Sequence, residues 1–333
     1  RRSSDLLRHA GALALARIGE AAPLLALAGH PSRALRLAAV VALRRMGDPG
    51  IARFLDDADE WIVTEAARAI NDDFSIEAAL PALARLLNRT PFGNEALIRR
   101  AVNANLRVGR DENLDILAAY ALRPDVPVSL RAEAIATLGV WPRPSVLDRV
   151  TGRYRGPLER EAAPARSALT GIIDALLRND SSRVRVAAAE TAGRLQVKKA
   201  APDLLRLAQK DPVPAVRIAA LQGLQTLGDT RIETAVEAAL HDGEQSVRSR
   251  ALALLPKLDL PPARSVALFA SVLDNGSLEE RQTAIAALGD LPPATTAPVL
   301  DKLMEQLNAG VLDPAIQLDL IEVVESTDHP ALQ

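Results

Sequence analysis

One segment recurs along the chain at nearly constant spacing, and this repeat constrains the fold more than any other feature. Its clearest copy is DPVPAVRIAALQGLQTLGDT, from Asp211 to Thr230. A fixed period of this kind marks stacked structural units, each of which buries its apolar face against its neighbours. Four copies align on an arginine, at intervals of 32, 31 and 33 residues: Arg185, Arg217, Arg248 and Arg281.

Each unit is predicted to be a pair of helices. In the clearest copy, Val216, Ala220 and Leu224 recur at helical spacing and therefore share one face. Asp211 precedes this run as a candidate N-cap, and Gly228 follows it where a positive φ carries no steric cost. The preceding APDLLRLAQK, residues 201–210, is a second amphipathic segment. The repeat therefore predicts an all-α solenoid built from helix-turn-helix units.

The repeat also has a polar signature, in which an aspartate lies six residues before an arginine that follows a valine. Asp211 with Arg217 and Asp242 with Arg248 show it. This pattern resembles HEAT repeats, and the resemblance covers essentially the whole chain. It implies about ten helical hairpins in a right-handed superhelix, with the second helices on the concave side. It also implies ladders of Asp and Arg between units, although each arginine could instead contact a ligand.

Composition is consistent with a single solenoid domain over residues 1–333. The chain is 48% hydrophobic but 2% aromatic, which suits helices packed closely through small aliphatic side chains. With 40 basic and 42 acidic residues it lacks the basic character of duplex-binding proteins, so no nucleic acid partner is expected. No apolar run approaches about 18 residues, so no direct membrane insertion is expected.

The sequence contains no recognisable catalytic or cofactor site. The absence of cysteine excludes disulfides, thiolate metal sites and covalent c-type haem within this chain. No two of the four histidines have the spacing of a helical metal site, and neither a Ser/His/Asp set nor a Gly-rich phosphate loop is present. We therefore expect no catalytic residue, no metal and no cofactor.

An insertion interrupts the repeat between Arg131 and Arg185, which lie 54 residues apart. The excess sequence is VWPRPSVLDRVTGRYRGPLEREAAP, at about 140–164, and its prolines exclude a continuous helix. Long insertions in compact arrays are often functional, and aromatic residues and arginines form interface hot spots. The alternative is a brace that covers a gap between two sub-arrays. The candidate partner-binding residues here are Trp141, Arg149, Arg153, Tyr154 and Arg155.

Two further segments offer candidate partner contacts. Trp61 follows an acidic turn that could form a carboxylate-rich rim for a cation, a basic partner or a neighbouring domain. The alternative is a solvated turn before a helix that Asn71 ends in a left-handed conformation, in place of glycine. In the next unit, Arg99, Arg100, Asn103 and Arg107 form a polar stripe, which could bind a partner or make internal hydrogen bonds.

Four sequence segments resemble a more specific group of proteins, the HEAT region of large bacterial membrane-bound dehydrogenases. They are WIVTEAARAINDD (61–73), LIRRAVNANLRVG (97–109), SLRAEAIATLGVW (129–141) and LDRVTGRYR (147–155). In that group, a β-propeller similar to glucose/sorbosone dehydrogenases precedes the HEAT array and a c-type cytochrome domain follows it. This chain has neither a propeller nor a Cys-x-x-Cys-His motif. The resemblance therefore implies context and assigns no catalytic residue.

Three functions remain open on this basis. The first is a non-catalytic interaction or spacer module that binds a protein partner or neighbouring domains of the same polypeptide, with a periplasmic location if the dehydrogenase resemblance holds. The second is a free-standing cytoplasmic scaffold that binds proteins or peptides in its groove. The third is a HEAT-like enzyme such as a bilin lyase, with a pocket lined by Trp61, Trp141 or Tyr154. A start at Arg1 without Met suggests a piece of a longer protein.

Overall fold

The chain forms an all-α solenoid, as the repeat predicts. In a computed structural model that describes residues 2–72, 76–89 and 91–327, the regular secondary structure is helical. No helix in these ranges combines the length and apolar character needed to span a bilayer. The α-helices are α1 (Arg2–Ile18), α2 (Ala21–Leu25), α3 (Arg33–Met46), α4 (Glu60–Asn71), α5 (Leu80–Arg85), α6 (Glu95–Val108), α7 (Asp111–Leu122), α8 (Val128–Gly139), α9 (Ala162–Leu177), α10 (Ser182–Arg194), α11 (Ala201–Lys210), α12 (Pro214–Leu227), α13 (Arg231–Ala239), α14 (Gln245–Leu254), α15 (Pro262–Asn275), α16 (Leu278–Gly289), α17 (Pro293–Asn308) and α18 (Gln317–Ser326).

Short 3-10 helices extend or connect several of these elements. They span Ala26–Gly29, Pro49–Asp56, Glu77–Ala79, Leu86–Asn88, Lys198–Ala200, Leu255–Lys257 and Pro314–Ile316. The short helix Glu77–Ala79 places the side chain of Glu77 at the candidate site described below.

The helices form two compact units, residues 1–200 and residues 201–333. In the first unit, α4, α6, α8 and α10 pack side by side, and α5, α7 and α9 form a second layer against them. In the second unit, α12, α14, α16 and α18 follow one another in the same way. Each unit is therefore a stack of helical hairpins. That the two form one domain over residues 1–333 stays a prediction.

Helix α12 shows how the repeat sequence sets the ends of a helix. Pro214 occupies the first turn, where its missing N–H has no partner to lose, and Gly228 ends the helix with a φ of 61°. Asp211 is not the N-cap as predicted, because the helix begins three residues later. Its carboxylate instead accepts a hydrogen bond from the backbone N–H of Val213, at 3.0 Å, and so stabilises the turn between α11 and α12.

The apolar face of α12 supports a direct test of the register. Leu224 is fully buried there, whereas Leu318 on α18 is 65% exposed. Leu224→Ala is expected to reduce the free energy of unfolding by about 2 to 5 kcal/mol, through lost burial and the cavity that remains. The matched change Leu318→Ala is expected to stay within about 0.5 kcal/mol of the parent. Urea unfolding followed by circular dichroism compares the two, and equal effects would contradict the register.

Three of the repeat arginines share one main-chain contact with Arg36, which precedes Gly47 by the same eleven residues that separate Arg217 from Gly228. Nη1 of each donates to the main-chain carbonyl six residues earlier, at 2.6 to 2.9 Å, and so ties the second helix of a unit to the turn before it. This holds for Arg36, Arg185, Arg217 and Arg248.

Arg217, Arg248 and Arg281 also pair with carboxylates of the next repeat along the chain. Arg217 donates to Asp242 at 2.7 Å, Arg248 to Glu280 at 3.1 Å, and Arg281 to Asp313 at 2.7 Å. These contacts between successive repeats are the ladder of arginines and acidic residues that the resemblance to HEAT repeats implies. Glu280 takes the place of an aspartate in one of them. Arg217 and Arg248 each bind both a turn carbonyl and a carboxylate, so they contribute to the packing of successive repeats.

Candidate functional site

The insertion between α8 and α9 is ordered around a short hairpin. The N–H of Asp148 donates to the carbonyl of Arg153, and the N–H of Arg155 donates to the carbonyl of Val146, each at 2.7 Å. Gly152 supplies the positive φ, 71°, that the reversal of the chain requires. We call residues 146–155 the insertion hairpin.

The carboxylate of Asp148 holds the insertion hairpin together and attaches it to α6. Its side chain is fully buried. One oxygen accepts from the N–H groups of Val150 and Thr151, each at 3.0 Å, and the other accepts from Asn103 at 3.0 Å and Arg155 at 3.2 Å. Burial alone would raise the pKa of Asp148, but these hydrogen bonds and the nearby Arg155 charge hold it below its ordinary value. Asp148 is therefore a buried anion.

The network continues from α6 to the end of α4. Nδ2 of Asn103 donates to Oδ1 of Asn71 at 2.9 Å. The main-chain carbonyl of Asn71 accepts from Arg155 at 3.0 Å and from Arg107 at 3.3 Å. We call Asn71, Asn103, Arg107, Asp148 and Arg155 the polar network. It joins two repeat helices to the insertion hairpin.

The polar network explains why Asn71 does not adopt the predicted left-handed conformation. Asn71 is the last residue of α4, and Asp72 follows it with a φ of −83°. A left-handed C-cap satisfies the last carbonyls of a helix with nearby N–H groups. Here two guanidinium groups satisfy the carbonyl of Asn71, so the chain leaves the helix in an extended conformation.

Four separate segments of the sequence, within residues 61–72, 97–109, 129–141 and 147–155, meet at this place. Their described residues supply α4, α6, α8 and the insertion hairpin. The contact with α8 comes from Arg149, which donates to Oγ1 of Thr137 at 3.1 Å and lies 3.5 Å from Glu133. Segments that are far apart in the sequence therefore form one site.

A pocket of about 260 Å³ opens beside the polar network. Three guanidinium groups line it, those of Arg107, Arg149 and Arg155, and Leu147 and Leu158 contribute partly exposed apolar side chains. The carboxylate of Glu77, which is 70% exposed, pairs with Nη2 of Arg107. Burial lowers the pKa of Arg107, and Glu77 partly offsets this effect. We call this the insertion pocket.

Trp141 lies inside the structure, so the interface interpretation fails for this residue. It is 2% exposed, and the guanidinium of Arg160 covers its ring at 4.7 Å from the ring centre. Arg160 also donates to the carbonyl of Leu106 at 2.6 Å, which fixes it over the ring. Burial lowers the pKa of Arg160. Trp141 therefore anchors the beginning of the insertion against the helices.

The remaining insertion candidates lie at or near the surface. Tyr154 is 71% exposed and Arg153 beside it is also exposed. Arg149 and Arg155 are partly exposed at the insertion pocket. The insertion thus combines a buried tryptophan with exposed tyrosine and arginine side chains, and that the exposed residues bind a partner stays a prediction.

The polar stripe of α6 points mostly to internal partners. Arg100 binds both carboxylate oxygens of Asp72, at 2.6 and 2.9 Å, and Asn103 is buried in the polar network. Arg99 is more exposed and pairs with Glu95 at 2.8 Å. Of these three, Arg99 is the one that a partner could reach most easily.

The acidic turn before Trp61 pairs with arginines. Asp57 lies 2.7 Å from Arg36, and Asp59 lies 2.6 Å from Arg33. Within the ranges that the structure describes, no three His, Cys, Asp or Glu side chains form a potential metal site. Trp61 itself is 53% exposed and remains a candidate contact.

Sequence reasoning singled out Arg107 in the polar stripe and Asn71 at a helix end, but it did not bring them together with Asp148 in one site. The phrase Asp-Arg-Val-Thr-Gly carries a signal for the turn, since an aspartate side chain often accepts from N–H groups two or three residues later. No local signal identifies the partners of Asp148 on α6, because they depend on how distant segments pack.

Comparisons with known proteins agree with the fold. The HEAT-repeat family model matches residues 169–255. No curated protein shows significant sequence similarity to this chain.

Among solved structures, importin beta is similar with a TM-score of 0.51 and 14% identity, over 92% of this chain and 45% of importin beta. The YibA protein of E. coli has a TM-score of 0.48 and 19% identity, over 89% of this chain and 97% of YibA. Human deoxyhypusine hydroxylase has a TM-score of 0.30 and 19% identity, over 77% of this chain and 98% of the hydroxylase. The chain thus spans less than half of importin beta, and this similarity shows the fold alone.

Proposed function

We propose that this chain is a non-catalytic protein-interaction and spacer module, and that the insertion hairpin is its contact surface. One observation carries the proposal. The polar network attaches the insertion hairpin to α4 and α6, while Tyr154 and Arg153 of the same hairpin are exposed to solvent. Tyrosine and arginine are enriched among the residues that dominate binding energy. A contact surface that is already ordered loses less conformational entropy when it binds a partner.

The proposed partner is a neighbouring domain with an acidic face, within a larger dehydrogenase-like redox protein. Two features support this choice. The segments that resemble the dehydrogenase region are the ones that build and hold the insertion hairpin. The insertion at 140–164 also contains five arginines and three acidic residues, whereas the whole chain has a net charge of −2. On this proposal the protein is periplasmic.

The enzyme hypothesis has less support. It requires a pocket lined by Trp61, Trp141 or Tyr154, and none of these side chains lines the insertion pocket. A free-standing cytoplasmic scaffold would bind along the helices of its groove, and substitutions in the hairpin would then leave binding unchanged.

The proposal predicts that the gene for this chain, or its immediate neighbours, encodes a β-propeller and a Cys-x-x-Cys-His domain that bind the chain. With each domain purified, Tyr154→Ala is expected to weaken binding about ten-fold or more in biolayer interferometry. Val311→Ala, at a position 73% exposed in the second unit, is the control and is expected to bind like the parent. Unchanged affinity of the Tyr154 variant, or no binding of either domain, would refute the proposal.

A further inference from the structure

Three guanidinium groups line the insertion pocket, and each lies close to one carboxylate. Its lining includes Arg107, Arg149 and Arg155, against Asp148 and Glu77. Asp148 is fully buried, and its two oxygens already accept four hydrogen bonds. Glu133, the carboxylate 3.5 Å from Arg149, is also mostly buried, so among the three acidic partners Glu77 is the one exposed to solvent.

The three guanidinium groups are held in place but are not saturated. Arg155 is fixed by Asp148 and the carbonyl of Asn71, and Arg107 by the same carbonyl. Arg149 is fixed by Thr137 and lies 3.5 Å from Glu133. Each guanidinium has five N–H donors, and these contacts use only some of them. Fixed arginines of this kind bind carboxylates well, since their donors match the two carboxylate oxygens.

Glu77 indicates which group the pocket accepts. It approaches from the short turn Glu77–Ala79, and its exposed carboxylate pairs with Arg107, which is mostly buried. An ion pair with one exposed partner contributes little to stability, so an incoming carboxylate can replace Glu77 at small cost. Leu147 and Leu158 lie at the same pocket and offer contacts to an apolar neighbour of that carboxylate.

We propose that the insertion pocket binds an acidic side chain from a protein segment in which acidic and apolar residues alternate, and that Glu77 competes with that side chain for Arg107. This inference rests on the proposed function, since it specifies how the acidic partner is recognised. The partner's carboxylate would lie among Arg107, Arg149 and Arg155, with its apolar neighbour against Leu147 and Leu158.

A pair of labelled peptides tests this proposal on the full chain. The probe is Gly-Glu-Leu-Glu-Leu-Gly with an N-terminal fluorophore, and its control replaces each Glu by Gln. In fluorescence anisotropy titrations, the Glu peptide is expected to bind at least about ten-fold more tightly than the Gln peptide. Arg149→Gln is expected to weaken binding of the Glu peptide about ten-fold. Glu77→Gln is expected to strengthen it several-fold, because the competing charge is gone.

Arg264→Gln provides the control for general electrostatic attraction. Arg264 lies in the second unit, where it is half exposed and pairs with Glu237, so its loss is expected to leave peptide binding unchanged. Each of four results would overturn the proposal: no binding of the Glu peptide, equal binding of the Gln peptide, equal loss in the Arg264 and Arg149 variants, or no gain from Glu77→Gln. Free glutamate that binds as tightly as the peptide would also overturn it, since the occupant would then be a small molecule.

The two proposals can fail separately. If the redox domains bind the parent chain but the Glu77 and Arg149 variants bind them equally well, the carboxylate inference is wrong and the proposed function stands. If the peptides behave as expected but neither redox domain binds, the choice of partner is wrong.

Discussion

Asp148→Ala is expected to lower the free energy of unfolding of the first unit by about 3 kcal/mol or more. The carboxylate is fully buried and accepts hydrogen bonds from Asn103, Arg155 and two main-chain N–H groups of the insertion hairpin. Its removal leaves these donors without their acceptor, and the cost of unpaired buried groups exceeds the modest gain of forming the pair. The expected structural result is that the insertion hairpin detaches from α6.

A matched aspartate in the same unit provides the control. Asp174 on α9 is half exposed and pairs with Lys199 at 2.7 Å. Asp174→Ala is therefore expected to change stability by less than about 1 kcal/mol. Urea unfolding measures both variants, and amide hydrogen exchange within residues 146–155 reports the hairpin itself. Loss of stability of the same size in the two variants would show that the polar network contributes no more than a surface ion pair.

The dependence of stability on pH has a definite sign at Asp148. The pKa of its carboxyl is lower in the folded chain than its ordinary value of about 3.9. Its stabilising contribution is therefore fully present above the unfolded pKa and is lost as the pH falls through the folded pKa. Between about pH 5 and pH 2, the parent is expected to lose stability more steeply than Asp148→Asn. Parallel profiles of stability against pH would mean that the contribution of Asp148 to stability does not depend on the charge of its carboxylate.

The solenoid was predictable because its signals are local and repeat. Val216, Ala220 and Leu224 define a buried face, Gly228 ends the helix, and a fixed interval brings Arg217 and Asp242 together in successive units. Each of these inferences needs only spacing along the chain. Even here the first turn of α12 differed from the prediction, because Pro214 starts the helix and Asp211 serves the preceding turn.

The candidate site was only partly predictable, since its contacts join residues that are distant in sequence. Arg155 donates to the carbonyl of Asn71, 84 residues away, and Asn103 lies 45 residues before its partner Asp148. No periodicity encodes such pairs. The sequence indicated that the insertion was rich in interface-type residues, but it did not distinguish the buried residue Trp141 from the exposed residue Tyr154.

The two tryptophans of the chain turn this distinction into a measurement. Trp141→Ala is expected to lower the free energy of unfolding by about 3 to 5 kcal/mol, because it empties a filled site beneath Arg160. Trp61→Ala removes a ring that is 53% exposed and is expected to cost about 0.5 kcal/mol or less. Urea unfolding measures both variants, and acrylamide quenching checks the structural premise: the fluorescence remaining in Trp61→Ala is expected to be shielded, and that in Trp141→Ala accessible.

The comparison of Trp141→Ala with Tyr154→Ala decides how binding data on the insertion can be interpreted. If Trp141→Ala loses both stability and partner binding while Tyr154→Ala loses binding alone, Trp141 supports the contact surface from within and Tyr154 touches the partner. If Trp141→Ala keeps its stability but loses binding, the ring reaches the partner, and the anchoring role assigned to it is wrong. Because Trp141 and Tyr154 belong to one insertion, only a stability measurement made beside the binding measurement separates a residue that holds the surface from one that forms it.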